Sequence, residues 1–209
     1  MINSINELEC MIKWERSAKI ICAELNNFVD LKSALIIVIN HIKKLTGCEK
    51  VSIRLHDDED YSYYIYSELP ESFINKNSLC AKDENGNIII SPNGKGYLLE
   101  CMCGNIIRGR FDPSLPFFTE YGSFWSNNTS DLLASTSDEE RQSGTRNYYN
   151  SFGYESVALV PIKVGDERVG LIQLNDMRVG IFTEDLIEFV EVIGEQIGLA
   201  LKKSLTIPG

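Results

Sequence analysis

Two cysteines stand two residues apart, Cys101 and Cys103, and a third, Cys80, lies across a stretch rich in turn residues. Paired thiolates can share a metal, close a strained disulfide, or work as an attacking and a resolving thiol. A tetrahedral zinc site needs four ligands. No C-x-x-C or H-x-x-x-H supplies the remainder, and His41 and His56 are the only imidazoles. Haem could coordinate through a thiolate or an imidazole. The aromatic segment Phe111 to Trp125 could line its slot, although the C-x-x-C-H signature is absent. The plain alternative is that the three are reduced core thiols, because cysteine packs as a small hydrophobe.

A second set of residues suits a small molecule. Arg146 and Asn147 precede Tyr154, Glu155 and Ser156, which lead into an apolar stretch, and Phe118 and Trp125 belong to a dense aromatic segment. A few converging polar groups in an aromatic pocket are what such a ligand requires. Arg108, Arg110 and Arg146 could grip a carboxylate or phosphate. Arg146 could equally pair with Asp138, Glu139 or Glu155 and do no more than order a loop. His56, on the polar parity of Ser52 and Arg54, reads as a surface residue, and His41 as a packed one. There is no G-x-S-x-G, Walker loop, H-E-x-x-H or kinase motif, so no catalysis is expected.

Composition narrows the classes further. The 209 residues are 44% hydrophobic and 24% charged, the balance of a globular chain with a core. Thirty acidic against twenty basic residues give a net charge of −10. Such a surface repels phosphate backbones and anionic lipid, and no basic patch offsets it, so no nucleic-acid partner is expected. The densest apolar run, Ala34 to Ile39, is too short to span a bilayer. No signal peptide is read at the N-terminus. The chain reads as cytoplasmic, and six cysteines are too few for a disulfide scaffold.

These residues must be held by elements that the pattern predicts. Ser4 and Glu7 have the capping-box spacing, and a helix should run to about Asn27. Asp30 should cap a second helix with Leu31, Leu35, Val38, Ile42 and Leu45 on one face, and Gly47 should stop it. Val51–His56 and Tyr61–Ser67 read as strands, the first with one buried face. Ile88–Ile90 and Tyr97–Cys101 read as a hairpin between Asn-Gly turns. Residues 104–133 give no clear pattern. Ser137 and Glu140 form another capping box, predicting a helix to about Asn150. Glu155–Ile162 and Arg168–Leu174 read as strands around Gly165-Asp166. Thr183 should cap a last helix striped by Leu186, Val190, Ile193 and Ile197. Helices at both ends with strands between predict an α+β antiparallel sheet covered by the terminal helices.

That order, with particular residues, resembles a GAF domain. The match is strongest in Glu155–Ile162 ending near Pro161, in Arg168-Val-Gly-Leu-Ile-Gln-Leu-Asn175, and in Phe182-Thr-Glu-Asp-Leu186 opening a helix. The middle motifs around Leu99–Asn105, Pro116–Thr119, Gly122–Trp125, Thr145–Asn147 and Gly153–Ser156 look like a subgroup found in prokaryotic sensor kinases. Members of that subgroup often carry a cysteine after the Arg-Asn pair, where this chain has Tyr148-Tyr149. The resemblance implies a domain over 28–209 behind a linker or dimerisation helix at 1–27. It implies a ligand pocket on the sheet face away from the terminal helices, with Phe118, Trp125, Arg146, Asn147, Tyr154, Glu155 and Ser156 as candidate contacts. It further implies a small-molecule sensor without catalysis, a homodimer through the terminal helices, and an output domain or kinase as partner. Motifs for cyclic nucleotides and bilins are missing. A metal or haem sensor built on Cys80, Cys101 and Cys103 is the alternative, and a cysteine-dependent methionine sulfoxide reductase on the same fold a more distant one.

Overall fold

A computed structural model describes residues 2–57, 60–76, 78–85, 87–91, 97–99, 101–141 and 147–206. The chain opens with two helices, α1 (Ile2–Asn27) and α2 (Leu31–Thr46). Asp30 caps α2 by accepting hydrogen bonds from the backbone N–H of Lys32 at 3.3 Å and of Ser33 at 2.8 Å. Lys43 and Lys44 stand in its last turn, where the helix dipole favours cations, and Gly47 ends it. Strands β1 (Lys50–His56) and β2 (Tyr61–Tyr66) follow, then short helices α3 (Glu71–Lys76) and α4 (Met102–Ile107). After β3 (Phe124–Ser126), α5 (Thr129–Ser135) and α6 (Tyr148–Ser151) come the long strands β4 (Ser156–Val164) and β5 (Glu167–Asp176). Helix α7 (Glu184–Thr206) closes the chain, with Thr183 Oγ1 accepting from Leu186 N at 3.3 Å.

The five strands form one antiparallel sheet in the order β2-β1-β5-β4-β3. The α+β architecture expected from the sequence is the one observed. Period-two alternation sends Val51, Ile53, Ala158, Val160, Ile172 and Leu174 to one face. There they meet Leu35, Val38, Ile39 and Ile42 of α2 and Ile187, Val190, Ile193 and Ile197 of α7. The last turns of α1 join the same core through Ile21 and Leu25. Gly170 pairs with Leu55 at a close approach of the two central strands, where a Cβ would stand 2.1 Å from Arg54 O. Asp176 ties the far end of the sheet. It accepts from Glu49 N at 2.8 Å and Arg178 N at 2.9 Å, and Arg178 Nη2 reaches Gly47 O at 2.7 Å.

Four expectations are corrected. The polar parity of β1 is buried at Ser52 and Arg54, each 1% exposed, because a second layer drawn from residues between 61 and 154 covers that face, while His56 at the strand's end is exposed as expected. The hairpin at Ile88–Cys101 is no ladder but single bridges, Lys82↔Ile88, Ile90↔Tyr97 and Cys80↔Leu99; Gly86 and the Asn93-Gly94 turn lie outside the described residues. The capping box at Ser137 forms, with Ser137 N donating to Glu140 Oε2 at 2.7 Å and Glu140 N to Ser137 Oγ at 3.2 Å. The helix does not follow it: residues 138–141 make only a turn, 142–146 lie outside the described residues, and α6 starts after Asn147, which has φ 49°. The unpatterned stretch 104–133 holds most of α4, all of β3 and most of α5.

Candidate functional site

The second sheet face carries a polar layer in an otherwise apolar half. Arg54 of β1 and Gln173 of β5 both point there, one register step apart, since Ser52 pairs with Gln173 and Arg54 with Leu171. Arg54 Nε donates to Gln173 Oε1 at 3.3 Å and Nη1 to Tyr61 O at 2.8 Å. Its guanidinium lies 3.6 Å from the centre of the Tyr63 ring, a cation–π contact strengthened by exclusion of water. Tyr63 donates to the same Gln173 Oε1 at 3.2 Å, and Gln173 Nε2 donates to Asn175 Oδ1 at 3.3 Å. A buried charge is tolerated only when it is hydrogen-bonded in this way. Burial opposes the Arg54 charge, but its neighbours, Tyr63 first and then Cys103, outweigh that and raise its pKa. It stays a cation.

Helix α4 supplies the thiols. Cys101 precedes it at φ 98°, ψ 165°, a region that favours glycine. All six residues of α4 are buried, and Gly104 lets the helix sit against Leu99, since a Cβ there would come within 2.7 Å of Leu99 Cβ. Cys103 Sγ contacts Gln173 Oε1 at 3.9 Å and shares a hydrogen bond with the Tyr149 hydroxyl of α6. Burial, then the neighbouring Cys101, pushes the Cys103 thiol well above its ordinary range. Burial raises Tyr149 likewise and Tyr63 to about 12. Burial and then the charge of Asp60 raise Cys80 to about 12.

Beside this layer lies a small cavity of about 20 Å³, bordered by Met102 of α4, Phe124 of β3, Thr129, Leu132 and Leu133 of α5, Arg141, Asn147, and Tyr149 and Asn150 of α6. That is room for about one water. Arg141 is 6% exposed, and its Nη atoms are used by Thr136 O and by Asp138 Oδ1 at 2.6 Å. Its buried Nε has no hydrogen-bond partner among the described residues. Thr129 Oγ1 donates to Tyr154 O at 2.7 Å and accepts from Asn150 Nδ2 at 3.2 Å. The wall is apolar with a few amide, hydroxyl and guanidinium groups, the lining chemistry of a small-molecule pocket at the volume of a single water, so a larger ligand would have to part α5 and α6 to enter.

The sequence-predicted residues separate around this site. Asn147 borders the cavity, whereas Arg146 lies outside the described residues. Tyr154 is buried in the same layer, edge-on to Phe73 with ring centres 5.6 Å apart. Glu155 accepts from Ser130 N at 3.0 Å and Ser130 Oγ at 2.7 Å, anchoring the start of α5, so its carboxylate is engaged. Ser156 Oγ donates to Arg178 O at 2.7 Å. Phe118 packs in the second layer against Phe117 and Phe124. Trp125, one residue beyond Phe124 in β3, packs on the opposite side with the terminal-helix core. Cys80, Cys101 and Cys103 are all buried in the second layer. Among the described residues, no three His, Cys, Asp or Glu side chains converge closely enough to hold a metal.

Arg54, Tyr63, Arg141, Tyr149 and Gln173 were not anticipated as site residues. One signal was available: Gln173 and Asn175 interrupt an apolar strand on a single parity, and Ser52 and Arg54 do the same in β1. On a sheet covered on both faces, that parity marks a buried polar layer.

The geometry can be set beside known proteins. A GAF domain family model matches residues 30–201. No curated protein matches the sequence. Among solved structures, the GAF domain of an Acinetobacter phosphoenolpyruvate-protein phosphotransferase is similar, with a TM-score of 0.61 and 14% identity over 95% of this chain and 96% of that one. A domain of a two-component sensor histidine kinase protein from Sinorhizobium meliloti, described as putative, gives 0.53 and 14% over 86% and 94%. The free methionine-R-sulfoxide reductase of Neisseria meningitidis, in complex with its substrate, gives 0.57 and 10% over 88% and 86%. At such identities the likeness is one of fold, and it spans signalling modules and an enzyme alike. The sheet order, the two flanking layers and the match over most of the length agree: this chain belongs to the GAF domain family.

Proposed function

We propose that this chain is a sensory module that binds a small molecule in the layer opposite its terminal helices and signals through α1 and α7, without chemistry of its own. The observation that carries this reading is the cavity at Arg141, where a buried Nε donor has no partner among the described residues. An acceptor atom on a ligand would satisfy it. The donors and acceptors around it come from α5, α6 and the Arg141 turn, so a ligand there would bridge segments that the sheet alone does not fix.

The thiols favour binding over turnover. A reductase needs a thiolate at neutral pH, and burial holds Cys80 and Cys103 as neutral thiols. The terminal helices carry exposed apolar residues, Ile12 and Ile20 on α1 and Val192 and Leu199 on α7. These support a homodimer through that face and a coupling of both helices to an output domain such as a kinase. No helix among the described residues is long and apolar enough to cross a membrane, and a cytoplasmic setting fits the reduced thiols.

A thermal-shift screen of small carboxylates and amides tests the site. At a hundred times its Kd, a binder stabilises by about 2.7 kcal/mol, or about 5–10 °C in a chain of this size. Arg141→Gln should remove that shift while the free variant still melts cooperatively. A binder whose shift is unchanged in Arg141→Gln would sink the assignment.

A further inference from the structure

We propose that the groove between β3 and α7 binds a linear aliphatic polyamine, held as a polycation by the carboxylates of α7. The groove lies on the terminal-helix side of β3, so the site is separate from the cavity at Arg141 and does not rest on it. Three observations converge.

The first is size. The groove holds about 410 Å³ between Phe118, Tyr121 and Trp125 on one wall and Glu184, Ile187 and Glu188 of α7 on the other. That is the volume of a small-molecule cleft rather than of a macromolecular interface.

The second is charge. Glu184, Glu188, Glu191 and Glu195 are spaced four, three and four residues apart, so they share one face of α7. Successive members stand about 4.5–6 Å apart along the axis, a spacing that a short alkyl diamine matches. Like charges so placed destabilise a helix, and a cation along the stripe relieves that cost. Glu120 brings a further carboxylate to the opposite wall. Glu120, Glu184 and Glu188 are exposed and form no ion pair or hydrogen bond among the described residues. Lys163 lies in the field of Glu191 and Glu195, but its Nζ is engaged, donating to Tyr121 O at 2.8 Å. Thr119 Oγ1 donates to Glu191 Oε1 at 2.6 Å and ties the loop wall to α7. Among the described residues no three carboxylates converge closely enough for one metal ion. A chain of ammonium groups can span them.

The third is the lining. The Tyr121 hydroxyl is buried and has no hydrogen-bond partner among the described residues. Burial, then the charges of Glu195 and Glu191, pushes it up to about 12, so it stays a neutral phenol with a lone pair to offer an ammonium N–H. Ser123, two residues on, is 0% exposed, and its Oγ is likewise unpartnered among the described residues. Phe124 turns into the second layer, which sets Ser123 on the side of Trp125. The Tyr121 ring already carries one ammonium, with Lys163 Nζ 3.4 Å from its centre. Trp125, the better ring for such a contact, carries none among the described residues.

The test is a fluorescence titration with spermidine at low salt. It uses the full chain carrying Trp14→Phe, in which Trp125 is the only tryptophan left. Spermidine should give a saturable change at one equivalent. Butylamine, with two fewer charges, should bind about 4- to 25-fold more weakly, at about 2- to 5-fold per exposed ion contact. Spermidine should lose the same factor in the double variant Glu120→Gln, Glu188→Gln. Asp166→Asn, at an exposed carboxylate in the β4–β5 turn, and Arg141→Gln should bind as the parent does. Calorimetry on the wild-type chain gives the spermidine and butylamine constants without any substitution. The absence of saturable binding, undiminished affinity in the double variant, an equal response to magnesium at matched ionic strength, or tighter binding of a lysine-rich peptide than of spermidine each overturns the proposal.

Discussion

Gly198→Ala should destabilise the protein by about 2–4 kcal/mol, although alanine is the better helix former by about 1 kcal/mol. The reason is contact between backbones. A Cβ at Gly198 would stand 1.8 Å from Lys163 O and 2.8 Å from Lys163 C. Lys163 belongs to β4, a nine-residue strand whose residues pair with β5 on both sides of a register shift between Ile162 and Lys163, so the carbonyl has little room to retreat. Helix α7 must lift instead, until the new methyl reaches an ordinary contact of about 3.5 Å. Lifting opens the interface where Val190, Ile193 and Ile197 lie fully or almost fully buried, and each such side chain contributes about 1.5–3 kcal/mol when buried. One turn earlier, Gly194 is less tight, since a Cβ there would stand 3.0 Å from Pro161 O. Gly194→Ala should therefore cost clearly less. Equilibrium urea unfolding of the two variants decides the matter: equal midpoints would show that α7 does not sit on β4 as described.

Arg54→Ala should cost about 3–5 kcal/mol, the range for large truncations and for breaking buried charged networks. It removes the donors to Gln173 Oε1 and Tyr61 O and empties space that is 1% exposed in the native chain. Arg54→Met should be milder, about 1–3 kcal/mol, because it refills the volume and removes the buried charge along with its desolvation penalty. Arg54→Lys should not restore wild-type stability. A single ammonium cannot bond Gln173 and Tyr61 O in the same planar geometry while lying flat on the Tyr63 ring. Denaturant midpoints for the three variants check this order. An Ala variant within about 1 kcal/mol of wild type would mean the polar layer is not structural.

The parts of the fold that were legible in the sequence are those with a period and a cap. Helix α2 announces itself by Asp30, the stripe Leu35, Val38 and Ile42, and Gly47. Helix α7 does so by Thr183 and its own stripe. Strands β4 and β5 are long enough for their β-rich runs to stand out. The site was harder to see, for physical reasons. Helix α4 is six residues long and buried on every side, so it has no polar face to give a helical period. Strand β3 is three residues long. The helix predicted from Ser137 rested on a capping box that does form, but the described residues after it, 138–141, make only a turn, and no period reveals that in advance. Arg54 was misplaced because alternation in a single strand shows which residues share a face, not whether the opposite face is covered.

The central claim is that a ligand enters the layer opposite the terminal helices and is felt by those helices. Hydrogen exchange read by mass spectrometry, on the free chain and on the chain saturated with a compound from the thermal screen, tests it most directly. The account predicts slowed exchange in α4, α5 and α6, together with altered exchange in α1 and α7, while the paired centre of β4 and β5 stays as slow as before. Protection confined to the outer surfaces of α1 and α7, with α4, α5 and α6 unchanged, would contradict it.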